Sequence, residues 1–396
     1  MPETISEQGL WGPLYERYQD PNRPHRMLTL DGGGIRGVLT LEVLCRMEEL
    51  LAEATGKGKD FRLCQFFDYI GGTSTGAIIA TGLARGLSAE ELKKFYQETG
   101  PKMFDRPWLV KRWRGLYKSE PLIAELKRTY GERTTLFPQH LECLLLVVTR
   151  NATTDSPWPI SSNPLARYND PKRPDCNLQI PLWQLVRASS AAPIYFPPEV
   201  LQWNPNDPTK TFVFVDGGVT PYNNPAFLLY RMATQPPYRL NWKTGERNLL
   251  LVSIGTGAAP TTDGDVLSPG KGALMNLAGL PGALMYGASV DQDVNCRVVG
   301  RCVYGAPIDR ETGDLIPRDA AGKEVPLEQD LGKAFLYARY NADLSRAGLD
   351  AMGFRDIDEA AIGQLDSVAA MGDLSRVGMW VANQIKLEHF GPFVTK

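Results

Sequence analysis

Apolar positions along this chain follow two alternating rhythms. Short, almost unbroken apolar runs occur at Met27–Leu30, Phe67–Ile70, Leu144–Thr149, Phe212–Val215 and Leu249–Ile254. Runs of this length and density read as strands buried on both faces. Between them the spacing changes. Val38–Leu51 places Leu41, Leu44, Met47, Leu50 and Leu51 on one side of a helix, and Gly56 closes it. Ala77–Leu87 is small and apolar, as a helix pressed against a sheet should be. Ser88-Ala89-Glu90-Glu91 has the form of a capping box opening another helix. Leu182–Ser190 and Asn224–Met232 carry helical patterns as well. Strands alternating with helices predict an α/β fold with a mostly parallel sheet covered on both faces.

The flanks are less regular. Residues 1–25 form a polar leader broken by Pro2, Pro13, Pro21 and Pro24. Residues 151–180 read as a polar, Pro-rich loop, and 306–330 as a charged one. Residues 258–283 are rich in Gly, Ala, Pro and Thr and read as mobile. Helices are expected near 331–347 and 373–388. The expected division is a leader at 1–25, a catalytic α/β core at 26–260, and a C-terminal extension at 261–396 packed on the same domain as lid, regulatory surface or oligomer contact.

Composition narrows the function. The 396 residues carry 43 Lys and Arg against 45 Asp and Glu, a net charge of −2. That balance argues against a nucleic acid polymer as partner. Neither a secretory apolar run nor an uninterrupted apolar stretch long enough to span a bilayer is visible, so a cytoplasmic protein is expected. The six cysteines form no CxxC pair and read as reduced thiols. The three histidines, His25, His140 and His389, are too few for a His-rich metal site. Neither a metal nor a cofactor is expected.

Three motifs stand at strand ends. Asp31-Gly32-Gly33-Gly34-Ile35-Arg36-Gly37 follows the first strand and opens a helix. It fits GxGxxG, but a dinucleotide site also wants an acidic residue at the end of a second strand. Glu53 has the offset and lies in the helix instead. The same loop can offer backbone N–H groups to an oxyanion, or its glycines can simply permit a tight turn. Gly72-Thr73-Ser74-Thr75-Gly76 is a GxSxG between strand and helix, where the glycines allow a sharp turn that lifts the serine hydroxyl clear. Asp216-Gly217-Gly218 puts a carboxylate at a strand terminus with little bulk around it, although Asp-Gly turns are common. The chain order Ser74, Asp216, His389 imitates a Ser-His-Asp α/β-hydrolase, yet His389 sits at the apparent end of a charged helix.

Taken together, the order Asp-Gly-Gly-Gly-x-Arg-Gly, Gly-x-Ser-x-Gly, Asp-Gly-Gly resembles the patatin-like phospholipases. Ala188-Ser189-Ser190-Ala191-Ala192-Pro193 and Phe196-Pro197-Pro198 resemble a further block of that family. The resemblance covers about residues 26–260. It implies the patatin-like three-layer α/β/α sandwich and a Ser–Asp dyad. Ser74 would be the nucleophile and Asp216 its base, with no histidine between them. Gly32, Gly33 and Gly34 would supply the oxyanion hole. Arg36, Gly37, Gly72, Gly76, Gly217 and Gly218 would support the motifs, Arg36 either pinning its loop or touching substrate. The reaction implied is calcium-independent hydrolysis of fatty-acyl esters of membrane phospholipid through an acyl-enzyme. Several bacterial intracellular relatives are nucleotide-activated antiphage effectors, so a cyclic-nucleotide activator is a further expectation, as is a homo-oligomer. The alternatives are a dinucleotide-binding enzyme, the His389 triad, and a catalytically silent binding module.

Access to lipid has a candidate. Residues 106–118 interleave basic and aromatic side chains without an acid, and Trp108, Lys111, Arg112, Trp113 and Arg114 suit transient contact with an anionic membrane surface. Tryptophans in the core with solvated charges around them would give the same pattern.

Overall fold

The computed structural model describes residues 6–103, 119–193, 195–204, 207–258 and 273–394. A nine-stranded sheet runs through it. The strands are β1 (His25–Leu30), β2 (Tyr69–Thr73), β3 (Leu144–Asn151), β4 (Ser156–Ser161), β5 (Glu199–Gln202), β6 (Thr211–Asp216), β7 (Leu249–Ile254), β8 (Arg301–Tyr304) and β9 (Leu336–Tyr340). Their order is β5-β6-β3-β2-β1-β7-β9-β8, with β4 also on β3. Neighbours from β3 to β8 are parallel, while β4, β5 and β6 pair antiparallel.

Alternation along each strand produces the layers. Leu28 and Leu30 face one hydrophobic core with Ile70, Leu145, Val147, Leu250, Val252 and Ala338. Met27, Tyr69, Leu144, Leu146, Leu249, Leu251 and Tyr337 face a second core on the opposite side. Successive strand side chains point to opposite faces, so one run of apolar residues feeds both cores. Helices Gly37–Thr55, Thr75–Ala84 and Met371–Ala382 contribute to the first core, and helix Ala226–Thr234 to the second. The result is the expected α/β/α sandwich. No helix among the described residues is long and apolar enough to cross a membrane.

Several local readings change. The segment expected to be helical near 331–347 is β9, and the helix beyond it is the short Arg346–Ala351. A short apolar run buried on both sides has no periodicity that separates strand from helix. Strands β4, β5 and β8 lie in stretches that read as loops or carried no assignment. The polar leader is folded: Ser6 caps a helix Glu7–Trp11, and Trp11, Leu14 and Tyr18 are buried in the second core. In the Gly-rich stretch 258–283, residues 259–272 lie outside the described residues, and helix Ala273–Val299 begins within it.

Candidate active site

β1 and β2 are neighbours in register, Leu30 opposite Gly72, so the Gly-rich loop and the serine turn leave the sheet side by side. β6 runs the other way and pairs Asp216 with Thr149 of β3, one residue past Val148, the partner of Thr73. The antiparallel strand thus delivers its C-terminal carboxylate to the end of the sheet where β2 delivers Ser74.

The serine turn is strained. Ser74 has φ 55° and ψ −120°, outside the regions that side-chain-bearing residues favour. The glycines beside it make this conformation accessible. A methyl group on Gly72 would come 2.1 Å from the carbonyl oxygen of Gly76, and one on Gly76 would come 2.2 Å from that of Leu30. The Ser74 N–H donates to Ser189 Oγ at 2.9 Å, and Ser189 Oγ–H donates to the Val148 carbonyl at 2.6 Å. The Asp216 N–H donates to the Ala191 carbonyl at 3.0 Å. The Ala-Ser-Ser-Ala-Ala block therefore ties both members of the pair to one support, a role that its sequence did not disclose.

Ser74 Oγ donates to Asp216 Oδ2 at 2.6 Å, and the Gly218 N–H donates to Asp216 Oδ1 at 2.7 Å. Both side chains are buried, 8% and 4% exposed. Burial pushes the Asp216 carboxyl up to about 6, against the opposing pull of the Ser74 and Gly218 hydrogen bonds and of the Arg187 charge. The carboxylate thus sits close to the acidity of a useful base.

The Gly loop changes one expectation. The Gly32 N–H donates to the Asn223 carbonyl at 3.1 Å and is not free to bind an oxyanion. The N–H groups of Gly33 and Gly34 donate to no group among the described residues. Gly34 has φ 59°, and a methyl group there would come 2.2 Å from the Leu365 carbonyl oxygen. One on Gly37 would come 2.7 Å from Thr75 Oγ1, and one on Gly217 2.2 Å from the Val148 carbonyl oxygen. Among the described residues the Arg36 guanidinium makes one long bond, Nη1 to the Gly363 carbonyl at 3.4 Å, and burial pushes it down to about 10.

Asp31, which opens the loop, pairs with a residue no motif flagged. Arg339 of β9 donates Nη1 to Asp31 Oδ1 at 2.8 Å and Nη2 to Oδ2 at 2.5 Å, and Nη1 also reaches Ser253 Oγ at 2.7 Å. Asn341, just after β9, accepts the Gly257 N–H at 2.9 Å. Asp31, Gly257, Arg339 and Asn341 border a cavity of about 1120 Å³ whose apolar wall includes Ile78, Tyr96, Leu122, Phe196 and Met285. A space of that size with an apolar wall suits a lipid chain.

The three histidines lie elsewhere. His389 Nδ1 meets the Tyr340 hydroxyl at 2.8 Å, its ring stacks on Tyr304, and burial next to Lys386 lowers it to about 4. His25 stacks on Trp242 near Asp68, and His140 contacts Thr135. None borders the cavity. Glu53 is exposed on helix Gly37–Thr55, away from any strand end. Trp108, Lys111, Arg112, Trp113 and Arg114 lie outside the described residues.

A model of the family described as patatin-like phospholipase matches residues 28–230. The cGAMP-activated phospholipase of Vibrio cholerae is 31% identical over 229 residues, 54% of this chain and 59% of its own. Patatin-15 of Solanum tuberosum is 30% identical over 246 residues, 58% of this chain and 60% of its own. The chain thus spans about three-fifths of the length of these curated relatives. The crystal structure of VipD from Legionella pneumophila aligns over 89% of this chain and 67% of its own, at 13% identity and a TM-score of 0.37, too low to carry an argument.

Proposed function

The chain belongs to the patatin-like phospholipase family, and on that premise we propose that it is a calcium-independent lipid acyl hydrolase using Ser74 and Asp216. The observation that carries this reading is the direct 2.6 Å bond between Ser74 Oγ and Asp216 Oδ2 at the wall of an apolar cavity. In the reaction Ser74 Oγ attacks the ester carbonyl and its proton passes to Asp216. The N–H groups of Gly33 and Gly34 stabilise the negative charge that forms on the carbonyl oxygen. Asp216 then protonates the leaving alcohol, and water cleaves the acyl-enzyme. A donor of this kind is worth about 10²–10³ in turnover.

The test is release of free fatty acid from mixed phospholipid vesicles without calcium. Ser74→Ala and Asp216→Asn should each lower it at least about 10³-fold, beyond the effect of one oxyanion donor, while His389→Ala should keep it. Full activity in Asp216→Asn sinks the dyad. Loss of activity in a folded His389→Ala restores the triad.

A cyclic-nucleotide activator is part of the proposal, supported by the name of the Vibrio cholerae relative. The same assay with a panel of cyclic di- and trinucleotides reads it, and no stimulation by any of them removes it. Transient membrane contact through residues 106–118 is proposed on their basic and aromatic composition. Replacing Lys111, Arg112 and Arg114 together should weaken binding to anionic vesicles, and salt-insensitive, unchanged binding overturns this part.

A further inference from the structure

Asn223 has no part in the chemistry above, yet it packs between the Gly loop and the Asp-Gly-Gly turn. Its backbone carbonyl holds the Gly32 N–H at 3.1 Å. Its side chain is nearly as buried as Asp216, at 5% exposed, and borders the cavity. The position of the amide oxygen is fixed from two sides. A methyl group on Gly32 would come 2.4 Å from Asn223 Oδ1 and 3.3 Å from Ser74 Cβ. One on Gly218 would come 2.9 Å from Asn223 Oδ1 and 3.0 Å from Asp216 Oδ1. The amide oxygen therefore lies between the Gly loop and the Asp-Gly-Gly turn, on the cavity that Ser74 and Asp216 also border.

The amide nitrogen donates to Ser289 Oγ at 3.0 Å. The oxygen accepts from no group among the described residues. A buried acceptor without a donor is costly, so such a group in a cavity signals a donor that arrives there. A second acceptor, the Asp216 carboxylate, borders the same cavity. Two neighbouring acceptors suit a molecule with two O–H donors. They do not suit the carbonyl oxygen of an ester, which has none.

We propose that Asn223 Oδ1 positions the water that cleaves the acyl-enzyme, an inference that rests on the Ser74–Asp216 reading. One water proton is given to Asp216 and the other is held by Asn223 Oδ1. The water oxygen attacks the acyl carbonyl carbon, forming a C–O bond as its first proton moves to the carboxylate. The tetrahedral intermediate then collapses, the bond from carbon to Ser74 Oγ breaks, and Asp216 returns the proton to Ser74 Oγ. The products are a free carboxylic acid and the restored serine. Acylation needs no water and does not use the Asn223 oxygen.

That separation supplies the test. With a p-nitrophenyl ester, Asn223→Ala should lower steady-state turnover by about 10²-fold, the typical cost of losing a well-placed reactant. Intact-mass measurement in the steady state should show more acyl-Ser74 than in the wild type, since formation continues and cleavage slows. Hydroxylamine, which attacks without a bound water, should recover part of the lost turnover. Ser289→Ala, which releases the amide and leaves the backbone alone, should shift the same readouts in the same direction by less. Acylation itself certifies that each variant is folded. Unchanged turnover in Asn223→Ala overturns the proposal. So does reduced turnover without a rise in acyl-enzyme, the pattern of an oxyanion donor or of general damage to the site. Turnover surviving in Ser74→Ala would overturn the serine reading, and this one with it.

Discussion

A carboxylate can replace imidazole as a base only if its ionised form is made less comfortable than in water. In the proposed dyad Asp216 would meet that condition through burial, which pushes it to about 6. The sign follows directly. Asp216 must be ionised to accept the Ser74 proton, so kcat/KM should be level above pH 6 and fall about tenfold per pH unit below it. A pH–rate profile checks this, and an acid limb near 4 would mean the carboxyl behaves as an ordinary exposed one. Ser74 and Asp216 were legible in sequence because their turns exclude side chains at Gly72, Gly76 and Gly217, where a methyl group would meet backbone atoms. Ser189 and Asn223 were not legible as site residues. The side-chain oxygen of each matters only through what other strands bring to it. Gly32 shows the converse: its place in the motif suggests an oxyanion donor, but the Asn223 carbonyl takes its N–H.

Among the elements, β9 has most bearing on the site. It joins β7 in parallel and carries Arg339 to the two oxygens of Asp31, both residues being 3–5% exposed as side chains. The arginine anchors the first residue of the Gly loop from a strand outside the family's matched segment. Breaking one side of a buried pair leaves an uncompensated charge and costs about 3–5 kcal/mol. Arg339→Met should therefore lower Tm markedly, and adding Asp31→Asn should recover much of that loss by removing the stranded carboxylate. Thermal unfolding of the wild type, the single variant and the double variant reads this, and a double variant no more stable than Arg339→Met contradicts it. The helix expected over 331–347 was a misreading with a clear cause. Phe335-Leu336-Tyr337-Ala338 is apolar throughout, and only the neighbouring strands β7 and β8 make it a strand.

At the scale of the molecule, the sheet separates chemistry from anchorage. The cavity opens where β1 and β2 end. Where they begin, Asp68 collects Arg17 at 2.9 Å, Arg23 at 2.6 Å and the Arg26 N–H at 2.8 Å. His25, Arg17 and Arg23 hold the carboxyl far below the usual carboxylate range despite its burial. Arg17 also donates to the carbonyls of Cys64 and Phe67, so this one side chain ties the N-terminal segment to the start of β2. A depressed carboxyl stabilises the fold above its unfolded value and loses that contribution as pH falls through the folded one. Arg17→Met should accordingly lower Tm at pH 7, with the gap to the wild type narrowing in strong acid. A constant gap down to pH 2 would show that the arginine acts by packing alone.

Strand–helix alternation and the three strand-end motifs are local properties, set by side-chain size, periodicity and backbone geometry within a few residues. They were sufficient for the α/β class, the candidate nucleophile and the candidate base. Which N–H groups of the Gly loop stay free, which strand anchors Asp31, and which amide faces the dyad are not local. They depend on groups more than a hundred residues apart meeting where β1, β2, β6 and β9 end. A hydrogen bond or buried ion pair has a value only once both partners and their shared burial exist, and packing of the sheet creates all three together.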